Sequence, residues 1–114
     1  MTIKITATIS EKQFRQQIID LLRLFGWKYY FTWTSLHSPS GFPDIIALRD
    51  GMLIIAELKS EKGRVTPAQK RWLEAFGGLA NCWAFVWKPS MWDSIVAVLG
   101  GEHAGNLAQG KDEA

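Results

Sequence analysis

Asp44, Glu57 and Lys59 are two acids and a base that one folded ribbon can bring together. They sit within residues 43–59, Pro-Asp-Ile-Ile-Ala-Leu-Arg-Asp-Gly-Met-Leu-Ile-Ile-Ala-Glu-Leu-Lys. Apolar, β-branched runs flank Asp50-Gly51, a dipeptide that strongly favours a two-residue type I′ hairpin. A turn there sets Asp44 directly opposite Glu57, with Cβ atoms about 5 Å apart on one face. Lys59, two residues beyond Glu57, points to the same face. Like charges opposed in this way destabilise a sheet. A cation between them removes the penalty, and Mg²⁺ is held by one or two carboxylates in sites that act on phosphates.

A purely structural use of the trio stays open. Asp44 could be a polar strand start after Pro43, and Glu57 with Lys59 a solvated edge pair. Against this, Ile46, Leu48, Leu53 and Ile55 share the acids' face, while Ile45, Ala47, Met52, Ile54 and Ala56 line the other. The pattern predicts a central hairpin covered on both faces, whose buried polar end needs partners.

The elements around the hairpin follow from spacing. Ser10 and Gln13 form a capping box. Phe14, Ile18, Leu21, Leu22 and Phe25 then fall on one helical face, and Gly26 stops the helix. Glu11 leans towards that face; it either serves the site or stabilises the helix N-terminus. Residues 27–34 alternate as a half-buried strand, and residues 36–42 form a turn-rich loop. His37 in that loop is a candidate ligand or proton shuttle, and Ser40-Gly41 sets the approach of the backbone to Asp44. Residues 60–65 read as a charged, flexible loop. Thr66-Pro67 opens a second helix, and Gln69 either closes its capping box or faces the acids. Trp72, Leu73 and Phe76 continue its buried stripe to Gly77-Gly78. Lys62, Arg64, Lys70 and Arg71 form a basic rim beside the acids, which is either a solvated face or a surface that meets phosphates. Residues 81–87 are a strand, and Ser90 is expected to cap a last helix with Trp92, Ile95, Val96 and Leu99 inward. An antiparallel hairpin joined to a strand reached through a helix gives a mixed sheet. The expected class is α/β, an α+β mixed sheet in the order α-β-β-β-α-β-α.

Composition narrows the function classes. The 114 residues, 47% hydrophobic, suit one domain with a modest core. We expect that domain to span 1–99, its core starting near residue 10. Residues 100–114 are expected to be a flexible tail, and residues 1–10 an arm or short edge strand through Ile3, Ile5 and Ala7. A net charge of +2 and a pI of about 8.8 permit a phosphate-rich partner without demanding one. The single cysteine, Cys82, allows no intrachain disulfide and fits a reducing cytoplasm. No run reaches transmembrane length, and the first residues lack a signal-peptide layout. There is no Ser-His-Asp arrangement and no Cys/His cluster for zinc. The six tryptophans fall mostly on core stripes.

The Pro43-Asp44 … Glu57-Leu58-Lys59 string resembles the PD-(D/E)XK nuclease motif, and more closely its VRR-NUC branch (virus-type replication-repair nucleases). The similarity rests on Ser40-Gly41-Phe42-Pro43-Asp44, the Asp50-Gly51 turn, Glu57-Leu58-Lys59, and Gln69 after Thr66-Pro67. The helix carrying Glu11 is similar to the family's leading helix, and the resemblance covers residues 10–99. It implies a restriction-endonuclease-like core and a phosphodiesterase dependent on Mg²⁺ or Mn²⁺, with no organic cofactor. Asp44 and Glu57 would hold the ion with the main-chain carbonyl of Leu58. Lys59 would orient the attacking water or offset charge in the transition state. Glu11 would stand behind the ligands or meet a second ion, and Gln69 would position water, lysine or phosphate. Ser40 and the basic rim would face DNA. Short stand-alone members look like phage-type enzymes that act as homodimers on branched DNA, including four-way junctions; the strand at 27–34 and the last helix are candidate interfaces. A non-catalytic nucleic-acid-binding or protein-interaction module on the same fold stays open. So does a restriction-type enzyme, for whose sequence-reading element 114 residues leave little space.

Overall fold

The computed structural model describes residues 9–32 and 39–101. The expected arm at Ile3, Ile5 and Ala7, the strand positions Trp33 and Thr34, His37, and the tail beyond 101 lie outside the described residues.

Helix α1, Glu11–Leu24, starts where its capping box sets it. The Ser10 Oγ accepts the Gln13 N–H at 3.0 Å, and the Gln13 Oε1 accepts the Ser10 N–H at 2.9 Å. At its other end the Gly26 N–H donates to the Arg23 carbonyl and the Trp27 N–H to the Leu22 carbonyl, the paired bonds of a Schellman stop. Strands β1 (Lys28–Phe31), β2 (Ile45–Arg49) and β3 (Met52–Leu58) follow. Helix α2 (Pro67–Gly77) crosses to β4 (Cys82–Trp87), and a short 3₁₀ turn, Pro89–Met91, leads into α3 (Trp92–Leu99). The sheet order is β1-β2-β3-β4, antiparallel across the first two pairs and parallel between β3 and β4. The expected α+β mixed sheet is present.

The hairpin turns at Asp50 (φ 53°) and Gly51 (φ 78°), both in the left-handed region that a type I′ turn requires. Its register pairs Ile45 with Ala56 and Arg49 with Met52. One face of the sheet is the main core: Ile45, Ala47, Ile54 and Ala56 pack with Phe14, Ile18 and Leu22 of α1 and Ile95 and Leu99 of α3. The Leu99 carbonyl closes this layer at the turn end, accepting the Trp27 Nε1–H at 2.8 Å and an Arg49 Nη1–H at 3.1 Å.

The acids' face is covered in part. Helix α2 packs over β3 and β4, burying Ile55 and Glu57. Towards the turn end Leu48 stays 49% exposed, and on β1 Tyr30 is 53% exposed. Full cover of both faces therefore holds for β3 from Ile54 to Leu58 and fails towards the turn and on β2, because alternation identifies apolar side chains without saying how far a helix reaches. Trp72, Leu73 and Phe76 of α2 are correspondingly half-buried.

Two further expectations change. Ser90 lies inside the 3₁₀ turn and caps nothing; its N–H donates to the Glu61 carboxylate at 2.7 Å. The Lys88 Nζ donates to the Glu61 carbonyl at 3.1 Å. The loop at 60–65 is thus tied at Glu61 to the start of the last helical segment, a contact between residues far apart in sequence. No helix among the described residues is long and apolar enough to cross a membrane.

Candidate functional site

The open end of the hairpin and the first turns of α1 and α2 enclose a cleft of about 270 Å³ that contains Asp44, Glu57 and Lys59. Backbone pairing continues past the formal strand ends to place the acids. The Thr32 N–H donates to the Asp44 carbonyl at 2.8 Å, and the Thr32 hydroxyl to the Pro43 carbonyl at 2.9 Å. On the other side the Leu58 N–H donates to Asp44 Oδ2 at 2.8 Å, which fixes the carboxylate against β3. Glu57 is 4% exposed. Its Oε2 accepts the Gln69 Nε2–H at 2.9 Å and lies 3.6 Å from Lys59 Nζ. Its Oε1 is buried with no hydrogen-bond partner among the described residues.

Burial and mutual repulsion act together on this pair. Desolvation pushes Glu57 up to about 7, the Asp44 charge adds to that rise, and Lys59 opposes it. Desolvation also raises Asp44, against the lowering effect of the Leu58 N–H, a hydrogen bond with Glu57 and Lys59; Glu11 adds a smaller upward push. In the absence of a cation the two carboxyls favour sharing one proton, because adjacent like charges in a buried site do not both ionise readily.

Gln69 does two things at once. Its Oε1 accepts the Thr66 N–H at 2.9 Å and its backbone N–H donates to the Thr66 Oγ at 3.1 Å, closing the α2 capping box. The same side chain donates to Glu57. The first turn of α2 is in turn braced by the loop before Asp44. Gly41 (φ 81°) lies so close that a Cβ there would meet the Ala68 carbonyl carbon at 2.6 Å and the Gln69 nitrogen at 2.7 Å. Phe42 packs edge-on against Trp72 at 5.0 Å, and the Trp72 Nε1–H donates to the Ser40 carbonyl at 3.2 Å.

The remaining expected residues are distributed around this centre. Glu11, the first residue of α1, is exposed and lines the cleft. Leu58 lines it too, though its side chain is buried. Ser40 stands apart from the cleft, in an adjoining hollow with Arg71 and Trp72. Lys62, Arg64, Lys70 and Arg71 are exposed. Sequence reasoning missed Arg15 and Phe31 as cleft residues. Spacing gives part of the signal, since Arg15 is four residues after Glu11 on the same side of a helix, but not which strand end that side meets.

The donor set suits a hard divalent cation. Two carboxylates meet, one with a buried oxygen that lacks a donor when both are ionised, and among the described residues no thiolate or imidazole lines the cleft. Among the described residues no three His, Cys, Asp or Glu gather into a full ligand set. An ion there would draw on Asp44 and Glu57, completed by main chain, water or phosphate, as Mg²⁺ commonly is.

Compared with known protein families and with curated proteins, the chain matches none.

Proposed function

We propose that this protein is a metal-dependent endonuclease that hydrolyses DNA phosphodiester bonds, structure-selective for branched DNA such as four-way junctions or flaps. The observation that carries the reading is the buried Asp44–Glu57 pair, whose Glu57 Oε1 has no donor among the described residues when both carboxyls are ionised, with Lys59 and Gln69 on the other Glu57 oxygen. Such an orphaned acceptor is costly unless something electropositive meets it. The resemblance to VRR-NUC nucleases, and through them to a restriction-endonuclease-like core, supplies the reaction class and the preference for branched DNA. It also supplies the expected homodimer and a cytoplasmic setting.

Asp44 and Glu57 would hold Mg²⁺ or Mn²⁺ with the Leu58 carbonyl. A divalent ion bound there lowers the pKa of a water and neutralises phosphate charge. The protein's own groups do the positioning. The Leu58 N–H holds Asp44 through Oδ2, and Gln69 holds Glu57 through Oε2. Lys59 offers a compact ammonium to the attacking water or to charge developing on the phosphoryl oxygens. Glu11 adds negative charge at the mouth, and Lys62, Arg64, Lys70 and Arg71 give the phosphate backbone a basic approach beside α2.

A panel of labelled duplex, single-strand, flap and four-way-junction DNAs, incubated with Mg²⁺ or Mn²⁺, tests this. Wild type is expected to cut a branched substrate preferentially, and Lys59→Ala to lose at least about 10²-fold in kcat. Cleavage by Lys59→Ala at the wild-type rate counts against the assigned site. The two-carboxylate donor set favours one rival, a nuclease-like fold that binds nucleic acid without cutting it. Tight binding to the same panel with no product under either metal would select that rival.

A further inference from the structure

Arg15 is a cation in the cleft that the roles above leave unused. It stands on the first turns of α1, four residues after Glu11, and shares the cleft with Asp44, Glu57 and Lys59. Glu11 preceding Arg15 by four residues is the arrangement that most favours a helical ion pair. No such pair forms: among the described residues no acid lies within ion-pair distance of Arg15 and no group accepts a hydrogen bond from its guanidinium. It rests over the Phe31 ring instead, 5.2 Å from the centroid. Stacking on a ring fixes a guanidinium's position while leaving its five N–H donors for an oxyanion.

The charges of the cleft say which oxyanion. Glu11, Asp44 and Glu57 face Lys59 and Arg15. Lys59 is already 3.6 Å from Glu57 Oε2. Arg15 is then the cation left to offset the acids for an incoming polyanion, and it stands on α1, whereas Lys62, Arg64, Lys70 and Arg71 lie in α2 and the loop before it.

We infer that Arg15, held on Phe31, is a phosphate-binding residue that grips the backbone of the bound nucleic-acid strand on the α1 side of the acid pair. Its planar fork matches two phosphate oxygens at once, which an ammonium does not. The inference rests on the endonuclease reading and adds a second anchoring point, so that the strand is held on both sides of the bond to be cut.

The test is fluorescence anisotropy with a fluorescein-labelled four-way junction, in EDTA, across a salt series, alongside single-turnover cleavage of the same DNA with Mn²⁺. Arg15→Ala is expected to raise Kd by ~10-fold and to reduce the slope of log K against log salt by about 0.9, the loss of one phosphate contact. Arg15→Lys is expected to keep the slope and still bind several-fold more weakly. Arg23→Gln, which removes equal charge at the far end of α1, is expected to leave both unchanged. Wild-type Kd and slope in Arg15→Ala would overturn the inference while leaving the nuclease reading intact, provided wild type cuts the junction. If Arg15→Ala does not fold, wild-type affinity in Arg15→Lys overturns the forked contact instead. Wild type that neither binds nor cuts DNA removes both.

Discussion

Glu57 is the residue on which the pH behaviour of the metal-free protein turns. A carboxyl whose folded pKa is pushed up to about 7 by burial and by Asp44 binds more protons in the native than in the unfolded chain between its ordinary value and about 7. Stability contributed by the protonated form is therefore full at acid pH and falls as pH rises towards 7. The slope reaches about 1.4 kcal/mol per pH unit where one proton separates the two states. Asp44, also raised, acts in the same direction. In EDTA, urea denaturation should show a loss of about 2–3 kcal/mol between pH 5 and pH 8. Glu57→Gln, which cannot ionise, should flatten that profile. A wild-type stability that rises across the same window would contradict the arrangement of the two acids.

At the scale of elements, the site depends on a latch between the loop before β2 and the first turn of α2. Gly41 sits in the left-handed region against backbone that cannot yield, whereas Gly51, also left-handed, has nothing within 4 Å of an added Cβ. Gly41→Ala carries both a conformational and a steric cost, and is expected to lower stability by about 2–4 kcal/mol. Gly51→Ala carries only the first, at about 1–2 kcal/mol. Equal losses in urea melts would mean that the close approach of Gly41 to Ala68 and Gln69 does not matter. The hairpin was legible in the sequence because Asp50-Gly51 dictates a turn type and a two-residue period then dictates the register. Gln69 was legible as two alternatives, yet one amide has an oxygen for the capping box and a nitrogen for Glu57, so they coexist. The tie from Glu61 to Ser90 was not legible, because no local pattern marks which distant N–H a loop carboxylate will find. Arg15 was hidden for a related reason: helical spacing shows which face a residue takes but not which strand end that face meets.

On the scale of the whole molecule, the cleft draws on the end of a hairpin, two helix starts and the end of β4, where the Lys59 N–H donates to the Trp87 carbonyl at 2.9 Å. Those parts come together only in the folded chain. A divalent ion that needs both carboxylates accordingly binds the native state and not the unfolded one, and stabilises the whole domain by mass action. At an Mn²⁺ concentration about 100 times the Kd the gain is about 2.7 kcal/mol, which for a domain of this size raises Tm by roughly 10 °C. Because binding must displace the proton that the two carboxyls share, the shift should be larger at pH 8 than at pH 6. Asp44→Ala takes away one of the two carboxylates while leaving the turn, the register and the core layer in place, so it should fold and lose most of the shift. Calorimetry of wild type and Asp44→Ala at both pH values, with and without Mn²⁺, reads this directly. An equal response of the two proteins would mean that the ion binds elsewhere, and the orphaned Glu57 oxygen would then need another explanation.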